Sequence, residues 1–297
     1  MIMNMAYGGG AAASSKLLSA LNVGDTLEVP VAQDAQLRFG THIVWKVADK
    51  NHTGYPANSV TLITDKILCM LCADAREPSN SDTDRKNYGN NRYIYSNLLQ
   101  WLNSGASAGD WFVKQHDADM YPIAGYILGD RNPYYEWPGF LTTFGADFVQ
   151  ALLDTTLTVS KVDEDGGGQD TFTRKIFLAS KTEVGLGDTS EGAEGAPLAL
   201  FSDDASRVAY PSIACVYNTE HSSTTLSPSN PTNWWLRTPE EISSKPGSLV
   251  RYVTSNGALT YTNAYDGIIG VRPLCNLPGS LRVSESPNAA GNYTIMN

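Results

Sequence analysis

The chain has no long apolar run, few cysteines and a shortage of basic residues. Of its 297 residues only 4 are Cys, and Lys and Arg together number 21 against 31 Asp and Glu. No stretch approaches the ~18 consecutive apolar residues of a transmembrane helix. The N-terminus lacks the basic and apolar regions of a signal peptide. We therefore expect no membrane span and no classical secretion, which fits synthesis in the cytoplasm.

The charge and the cysteine count exclude two further classes of protein. A net charge of −10 argues against nucleic acid as a partner, because tracking phosphates requires clustered Lys and Arg. Four cysteines are too few for the disulfide framework of a small secreted protein, so reduced, buried thiols are expected. Cys69 and Cys72 form a CxxC, but their apolar surroundings are typical of a buried strand, where residues three apart face opposite ways. We predict no zinc at this pair.

No arrangement in the sequence is typical of a hydrolase or a metal centre. The acidic stretch DEDGGGQD lacks the ligand spacing of an EF-hand loop and predicts a solvated turn. The histidines are scattered, with no spacing that recruits a nucleophile or a metal. They are His42, His52, His116 and His221. We expect no enzymatic activity, no metal and no cofactor.

What the chain does contain is enough apolar sequence, 42%, to bury a large core. Alternating apolar residues predict a half-buried strand around residues 43–47, and the apolar run of residues 59–73 predicts two more. Two further strands are predicted on either side of the glycine-rich connection DEDGGGQD. One amphipathic helix is predicted after an N-cap at Ser96, ending at Gly105. A second is predicted over residues 144–153 after an N-cap at Thr143. These elements predict an α+β fold with two helices.

The elements favour one domain over residues 21–283. A loop-rich insertion around residues 183–231, with one short helix near residues 202–209, is expected to decorate its core. Residues 1–20, which include a Gly and Ala tract, are expected to be a flexible or docking segment. Residues 284–297 form a C-terminal tail in this interpretation.

The last third of the chain predicts an exposed hairpin. Asn256-Gly257 favours a two-residue type I′ turn that joins LVRYVTS to ALTYTNA. Strand alternation would present roughly half of residues 251–265 together on one surface. This region mixes Tyr with Ser, Thr, Asn and Gly. Such a mixture is typical of recognition surfaces, because Tyr gives contact area at low entropic cost.

Several motifs together resemble an uncharacterised domain family of Gram-positive gut bacteria and their phages. They are NWWLRTP at residues 233–239, GVRPLCNLP at residues 270–278 and NNRYIYSNLLQWLNS at residues 90–104. Some members of that family are similar to targets of diversity-generating retroelements, in which an error-prone reverse transcriptase rewrites adenines near the 3′ end of a gene. The resemblance, over residues 23–283, implies a C-type-lectin-like fold with mixed and antiparallel sheets and long loop insertions, related to that of the formylglycine-generating enzymes. The implied function is adaptable ligand binding.

Codon chemistry supports this resemblance. An AAC or AAT codon changed only at its adenines never encodes Lys, Glu, Gln, Met or Trp, and none of these occurs between Pro246 and Ser284. The resemblance places a variable ligand-binding surface at Arg251, Tyr252, Thr254, Asn256, Ala258, Thr260, Tyr261, Thr262, Asn263, Tyr265, Asp266, Ile268 and Ile269. It assigns a fixed structural frame to Trp234, Trp235, Arg237, Val271, Arg272 and Pro273. We interpret the tryptophans as core anchors and the arginines as buried hydrogen-bonding supports.

Three functions stay open at this point. The first is recognition of a protein or glycan receptor through the variable surface. The second is the copper-dependent oxidase chemistry of the related fold, with Cys275 and Cys215 as the thiol pair, although apolar surroundings favour inert thiols. The third is a structural role in a phage tail, docked to the virion through the N-terminus. We expect receptor binding.

Overall fold

Two β-sheets form the centre of the computed structural model, which describes residues 14–187, 193–221, 226–241 and 245–296. The strands are β1 Ser15–Leu17, β2 Thr26–Pro30, β3 His42–Lys50, β4 Ser59–Thr64, β5 Cys69–Met70, β6 Thr155–Ser160, β7 Gln169–Arg174, β8 Ile176–Phe177, β9 Trp234–Pro239, β10 Leu249–Val253, β11 Leu259–Asn263, β12 Gly270–Val271, β13 Leu274–Pro278, β14 Arg282–Ser284 and β15 Asn292–Thr294. The six-stranded sheet has the order β15-β2-β3-β4-β13-β8, and the five-stranded sheet has the order β11-β10-β9-β12-β5. β1 and β14 form a separate two-stranded sheet, and so do β6 and β7.

The six-stranded sheet follows its hydrophobic pattern. On β3, Ile43, Trp45 and Val47 are buried while the residues between them are more exposed, as a half-buried strand requires. The neighbouring β4 is buried along its whole length, which fits a strand paired on both sides, with β3 and with β13. The strand predicted around residues 43–47 and the two predicted within residues 59–73 are confirmed as β3, β4 and β5.

The five-stranded sheet positions the C-terminal third of the chain. Its centre is β9, every residue of which is buried. β10 pairs with β9 in antiparallel fashion, and β12 joins it in parallel through Gly270 and Trp234. A Cβ at Gly270 would lie 2.7 Å from the Asn233 carbonyl oxygen, so this close approach of strands requires glycine. The edge of the sheet is β11.

The helices are short and more numerous than predicted. The described residues contain six α-helices of four to six residues each, besides short 3₁₀ turns: α1 Gln36–Phe39, α2 Thr83–Tyr88, α3 Asn97–Leu102, α4 Ala146–Ala151, α5 Asp204–Arg207 and α6 Ile213–Asn218. The predicted N-cap of α3 is confirmed, since Ser96 Oγ accepts from Leu99 N at 3.2 Å. The predicted N-cap of α4 is wrong, because Gly145 occupies that position and Thr143 ends a separate 3₁₀ turn. None of the described helices has the length and apolar character needed to cross a membrane.

The folded region extends past the predicted limits of residues 21–283. β1 pairs with β14, and Leu18 is fully buried, so residues 15–20 belong to the body. Residues 1–13 of the predicted docking segment lie outside the described residues. At the other end, β15 adds to the edge of the six-stranded sheet beside β2, so the tail contributes a strand.

The insertion around residues 183–231 is part of the core rather than a decoration. Its predicted helix is present as α5, capped by Asp203, and α6 is an unpredicted second one. Glu183, Glu194 and Phe201 from this region are buried. Residues 188–192 and 222–225 lie outside the described part of the chain. The fold as a whole is α+β.

Candidate ligand-binding surface

The predicted hairpin of β10 and β11 is present, but its turn differs from the prediction. Thr254 N donates to Ala258 O at 2.8 Å and Gly257 N donates to Thr254 O at 2.9 Å. Of the turn residues, Gly257 has a positive φ of 86° and Asn256 does not. A type I′ turn requires positive φ at both central residues. The connection is therefore a three-residue loop of residues 255–257 closed by a left-handed glycine, and the predicted type I′ turn is wrong.

Gly257 is expected to be essential for this loop. A Cβ there would collide with the Asp204 carbonyl oxygen of α5, besides forcing a side chain into the left-handed region. Gly291 is a matched control, because its φ of 85° is the same but nothing lies within 4 Å of a Cβ. We expect Gly291→Ala to cost about 1 kcal/mol of unfolding free energy and Gly257→Ala at least about 2 kcal/mol more. Urea unfolding measures both free energies, and equal losses of stability would contradict a collision between the added Cβ and α5.

The structure brings most of the predicted surface residues to solvent, but not all. Asp266 is 8% exposed and Ile269 3% exposed, so these two are interior residues and do not belong to a solvent-facing surface. Tyr261 is the most exposed aromatic residue among them, at 38%. The residues that remain are exposed or half-buried. We call them the hairpin surface: Arg251, Tyr252, Thr254, Asn256, Ala258, Thr260, Tyr261, Thr262, Asn263, Tyr265 and Ile268.

One face of the hairpin carries Arg251 and Tyr261, which are directly opposite in the strand register. The Arg251 guanidinium lies 5.9 Å from the centroid of the Tyr261 ring, within cation–π range. Its charge is paired with Glu240, a buried residue that follows β9. Tyr261 is therefore held by its neighbour while its ring stays open to solvent.

The opposite face carries Tyr252, Thr260 and Thr262. Tyr252 packs edge-on against the buried Trp235, with ring centroids 6.2 Å apart. Burial of the phenol raises the pKa of Tyr252, and the nearby Asp266 carboxylate raises it further. Thr262 Oγ1 donates to Asp266 Oδ2 at 3.2 Å, and Ile268 N donates to Asp266 Oδ1 at 3.3 Å. Asp266 thus stabilises the loop after β11 through these hydrogen bonds. It supports the surface from the interior, whereas the sequence predicts that it contacts a ligand directly.

Tyr265 extends the hairpin surface toward α2. Its backbone N donates to Tyr88 O at 3.0 Å, and the two rings meet edge-on at 5.8 Å. Lys245 Nζ lies 3.9 Å from the centroid of the Tyr88 ring. Tyr88 and Lys245 therefore belong beside this surface. Sequence reasoning missed both, because Tyr88 lies far from the hairpin in the chain and no local pattern links them.

The tryptophans of the frame are fully buried beneath the hairpin. Trp234 Nε1 donates to Arg207 O at 3.0 Å, and its ring stacks on Phe201. Trp235 Nε1 donates to Leu71 O at 2.8 Å. Each indole N–H is satisfied, so both rings anchor β9 in the core without an unpaired polar atom.

The arginines of the frame are buried and bonded to backbone carbonyls. Arg237 makes a two-pronged ion pair with Glu183, with N–O distances of 2.6 and 2.8 Å, and also donates to Leu178 O. Arg272 Nε donates to Thr64 O at 2.9 Å, and burial lowers the pKa of Arg272 to about 10. These two side chains connect the C-terminal strands to the rest of the molecule.

The thiols considered for copper chemistry are all buried and free: Cys69, Cys72, Cys215 and Cys275. Burial raises the pKa of Cys215 to about 12, and it also raises the pKa of Cys275. A nucleophilic or metal-binding cysteine needs a lowered pKa and access to solvent. These environments favour the thiol form.

Sequence reasoning also missed a group of titratable side chains: Glu77, His116 and Asp119. His116, expected to be an isolated loop histidine, lies with its Nε2 atom 2.8 Å from Glu77 Oε1, and Asp119 lies beside them. Glu77 and His116 are 39 positions apart in the sequence, so no local spacing signalled the group.

One protein-family model matches residues 58–279, and its description is a domain of unknown function, DUF6273. The match runs from β4 to β13 and includes the frame and the hairpin surface. Neither the curated proteins nor the solved structures contain a significant match to the chain.

Proposed function

The chain belongs to the DUF6273 family, whose description assigns no activity, and we propose from the site itself that the protein binds ligands through the hairpin surface. In this proposal the scaffold is C-type-lectin-like, and the surface residues are the positions that a diversity-generating retroelement alters. The ligand is a protein or glycan receptor, and the protein acts in host recognition on a virion or cell.

The contrast between the centre and the edge of the five-stranded sheet carries the proposal. Every residue of β9 is buried, whereas β11, two strands away at the edge of the same sheet, has no buried residue. The stiff strand holds the hairpin through backbone pairing, which does not depend on side-chain identity. Side chains at the edge can therefore change without loss of the sheet.

The chemistry of the exposed positions also supports binding. Tyr252, Tyr261 and Tyr265 place rigid aromatic area among small polar side chains, as binding surfaces do. The N-terminal docking expected for a phage tail component falls largely on residues 1–13, outside the described residues. The burial of the thiols supports a non-catalytic role.

Selection from a surface library tests the proposal. Thr260, Tyr261 and Thr262 would be randomised with the codons reachable from AAC by changing adenines, and the displayed library selected against purified lysozyme as a model target. A matched library would randomise Thr156, Thr171 and Thr173, exposed positions on the hairpin of β6 and β7. We expect folded, specific binders from the first library. Equal recovery from both, or none from the first, would refute the proposed binding role.

Tyrosine replacement gives a second prediction, made on the selected binders. Truncation of an aromatic anchor at an interface centre costs about 2 kcal/mol, or roughly 30-fold in Kd. We expect this loss for Tyr252→Ala and Tyr265→Ala, measured by surface plasmon resonance, with melting temperature as the control for folding. Loss of folding that always accompanies loss of binding would count against the surface.

The retroelement part has its own genomic test. The expected observation is a near-duplicate of the segment that encodes residues 234–273, differing at adenines, next to a reverse-transcriptase gene. If the genome has neither feature, the proposed diversification is refuted, and the hairpin surface is a binding surface of fixed sequence.

A further inference from the structure

Glu77, His116 and Asp119 form a compact group outside the hairpin surface. Their ligand atoms, two carboxylate oxygens and one imidazole nitrogen, lie within 4.8 Å of one another. Glu77 follows β5, while His116 and Asp119 lie in the loop after α3. Glu77 and Asp119 are buried, and His116 is half-buried. Two segments that are distant in the sequence thus converge on one point.

The His116 ring gives an independent indication of a ligand. Its Nε2 atom is buried and makes no hydrogen bond, although Glu77 Oε1 is only 2.8 Å away. The two atoms are close, but the N–H direction does not point at the oxygen. A buried polar atom without a hydrogen bond is costly. A cation held by the imidazole and the carboxylates would take the place of the Nε2 proton and would satisfy this nitrogen.

The surrounding charge also favours a cation. Asp74, Glu77 and Asp119 are all buried, and none of them forms an ion pair with a lysine or arginine among the residues that the structure describes. Backbone donors hold Asp74, whose two oxygens accept from Asn90 N and Asn97 N at 3.0 Å each. Buried carboxylates are normally paired or bound to metal.

We propose that Glu77, His116 and Asp119 bind a divalent transition-metal ion, for which Zn²⁺ is the matching probe. Imidazole nitrogen with carboxylate oxygen is a zinc donor set, whereas calcium prefers oxygen ligands alone. The ligand atoms of tetrahedral zinc are about 3.3 Å apart, so small side-chain rotations close the site. Neighbouring amides orient Glu77, which accepts from Asn80 and Asn90.

Solvent reaches this group from one side. A cavity of about 430 Å³ is lined by Asn80, His116 and Asp117, together with Ser79, Ser81 and Ala118. Three protein ligands leave a fourth position for water or a further ligand on that side. The site is independent of the hairpin surface, so either proposal can fail while the other holds.

Zinc titration of the full chain after EDTA treatment tests the site. By calorimetry at neutral pH we expect about one equivalent of Zn²⁺ to bind, and Co²⁺ to give visible d–d absorption without thiolate charge transfer. His116→Ala should weaken Zn²⁺ binding at least about 10-fold. Asp119→Asn should weaken Zn²⁺ binding to a similar extent, because it replaces the carboxylate with a neutral amide of equal size.

Two matched variants serve as controls. His42→Ala removes an exposed histidine, and Asp110→Asn neutralises an exposed carboxylate of the same loop that does not line the cavity; both should retain full affinity. Circular dichroism establishes that each variant is folded. Failure of folded wild-type protein to bind Zn²⁺, unchanged affinity in His116→Ala, or a thiolate signal with Co²⁺ would each overturn the proposed site.

Discussion

Replacement of Arg237 with alanine is expected to destabilise the fold by about 3 to 5 kcal/mol, enough to unfold a marginally stable domain. Arg237 is buried and paired with Glu183, which is buried as well. It also donates to the carbonyl oxygens of Leu178 and Glu194 at 2.9 and 3.1 Å. Removal of the guanidinium leaves the buried Glu183 carboxylate without its countercharge, with only the neutral donors Tyr55 Oη and Ser180 N. It also removes one donor from each of the two carbonyl groups.

Chemical denaturation monitored by tryptophan fluorescence measures this loss. Arg174→Ala is the control, since that side chain is half-buried, donates to the Thr173 carbonyl and lies over the Phe172 ring. A loss of at most about 1 kcal/mol is expected there. Arg237→Lys should recover only part of the stability, because an ammonium group cannot reproduce the two-pronged geometry. Equal stability of Arg237→Ala and Arg174→Ala would show that the frame does not depend on this ion pair.

The Arg237→Ala defect should grow with pH. Burial raises the pKa of Glu194, and Arg237 opposes that rise; without Arg237 the folded-state pKa of Glu194 moves further above its unfolded value. Protonated Glu194 then stabilises the folded variant at a pH below the pKa that Glu194 has in the unfolded chain. This stabilisation is lost as the pH rises through the pKa that Glu194 has in the folded protein. Denaturation of the variant at pH about 5 and about 8 should therefore show the larger deficit at the higher pH. A pH-independent deficit would contradict this origin.

Local patterns predicted the elements that depend on local physics. Alternation identified β3, because one buried face enforces a period of two. The apolar run of residues 59–73 identified β4 and β5, and the Asn256-Gly257 signal identified the pairing of β10 with β11. The cap at Ser96 followed from the need to satisfy free N–H groups at a helix start. Turn type was wrong at Gly257, since contact with α5 decides that loop, and an N-cap was wrongly assigned to Thr143, which ends a 3₁₀ turn.

Features that depend on distant segments could not be predicted in this way. The ion pair of Arg237 joins residues 54 positions apart, and Tyr88 at the end of α2 contacts Tyr265 in the loop after β11. Burial of Asp266 and Ile269 arises because the loop after β11 folds inward against β5, where Leu71 N donates to Ile269 O at 3.2 Å. A sequence shows which residues follow the hairpin but not which of them turn toward the core.

Trp235→Ala is the second substitution for which we expect a large effect, about 3 to 5 kcal/mol of unfolding free energy. The indole is fully buried, and its loss creates a cavity beneath the hairpin. It also leaves the Leu71 carbonyl without its 2.8 Å donor. Trp235→Phe keeps most of the volume and removes the donor, so we expect it to lose about 1 to 3 kcal/mol. Thermal and urea unfolding measure both variants.

The buried ring of Trp235 supports Tyr252 but not Tyr261. Tyr252 meets Trp235 edge-on, so a double-mutant cycle of the two should give a coupling of about 0.5 to 1.5 kcal/mol. Tyr261 faces the other side of the hairpin, and Tyr261→Ala should change stability by less than about 1 kcal/mol and show no coupling to Trp235. A scaffold that carries an exchangeable surface requires this division, because loss of Trp235 removes folding while loss of Tyr261 removes only contact area. Comparable destabilisation by Trp235→Ala and Tyr261→Ala would mean that the hairpin side chains are part of the core, and the proposed binding surface would not exist.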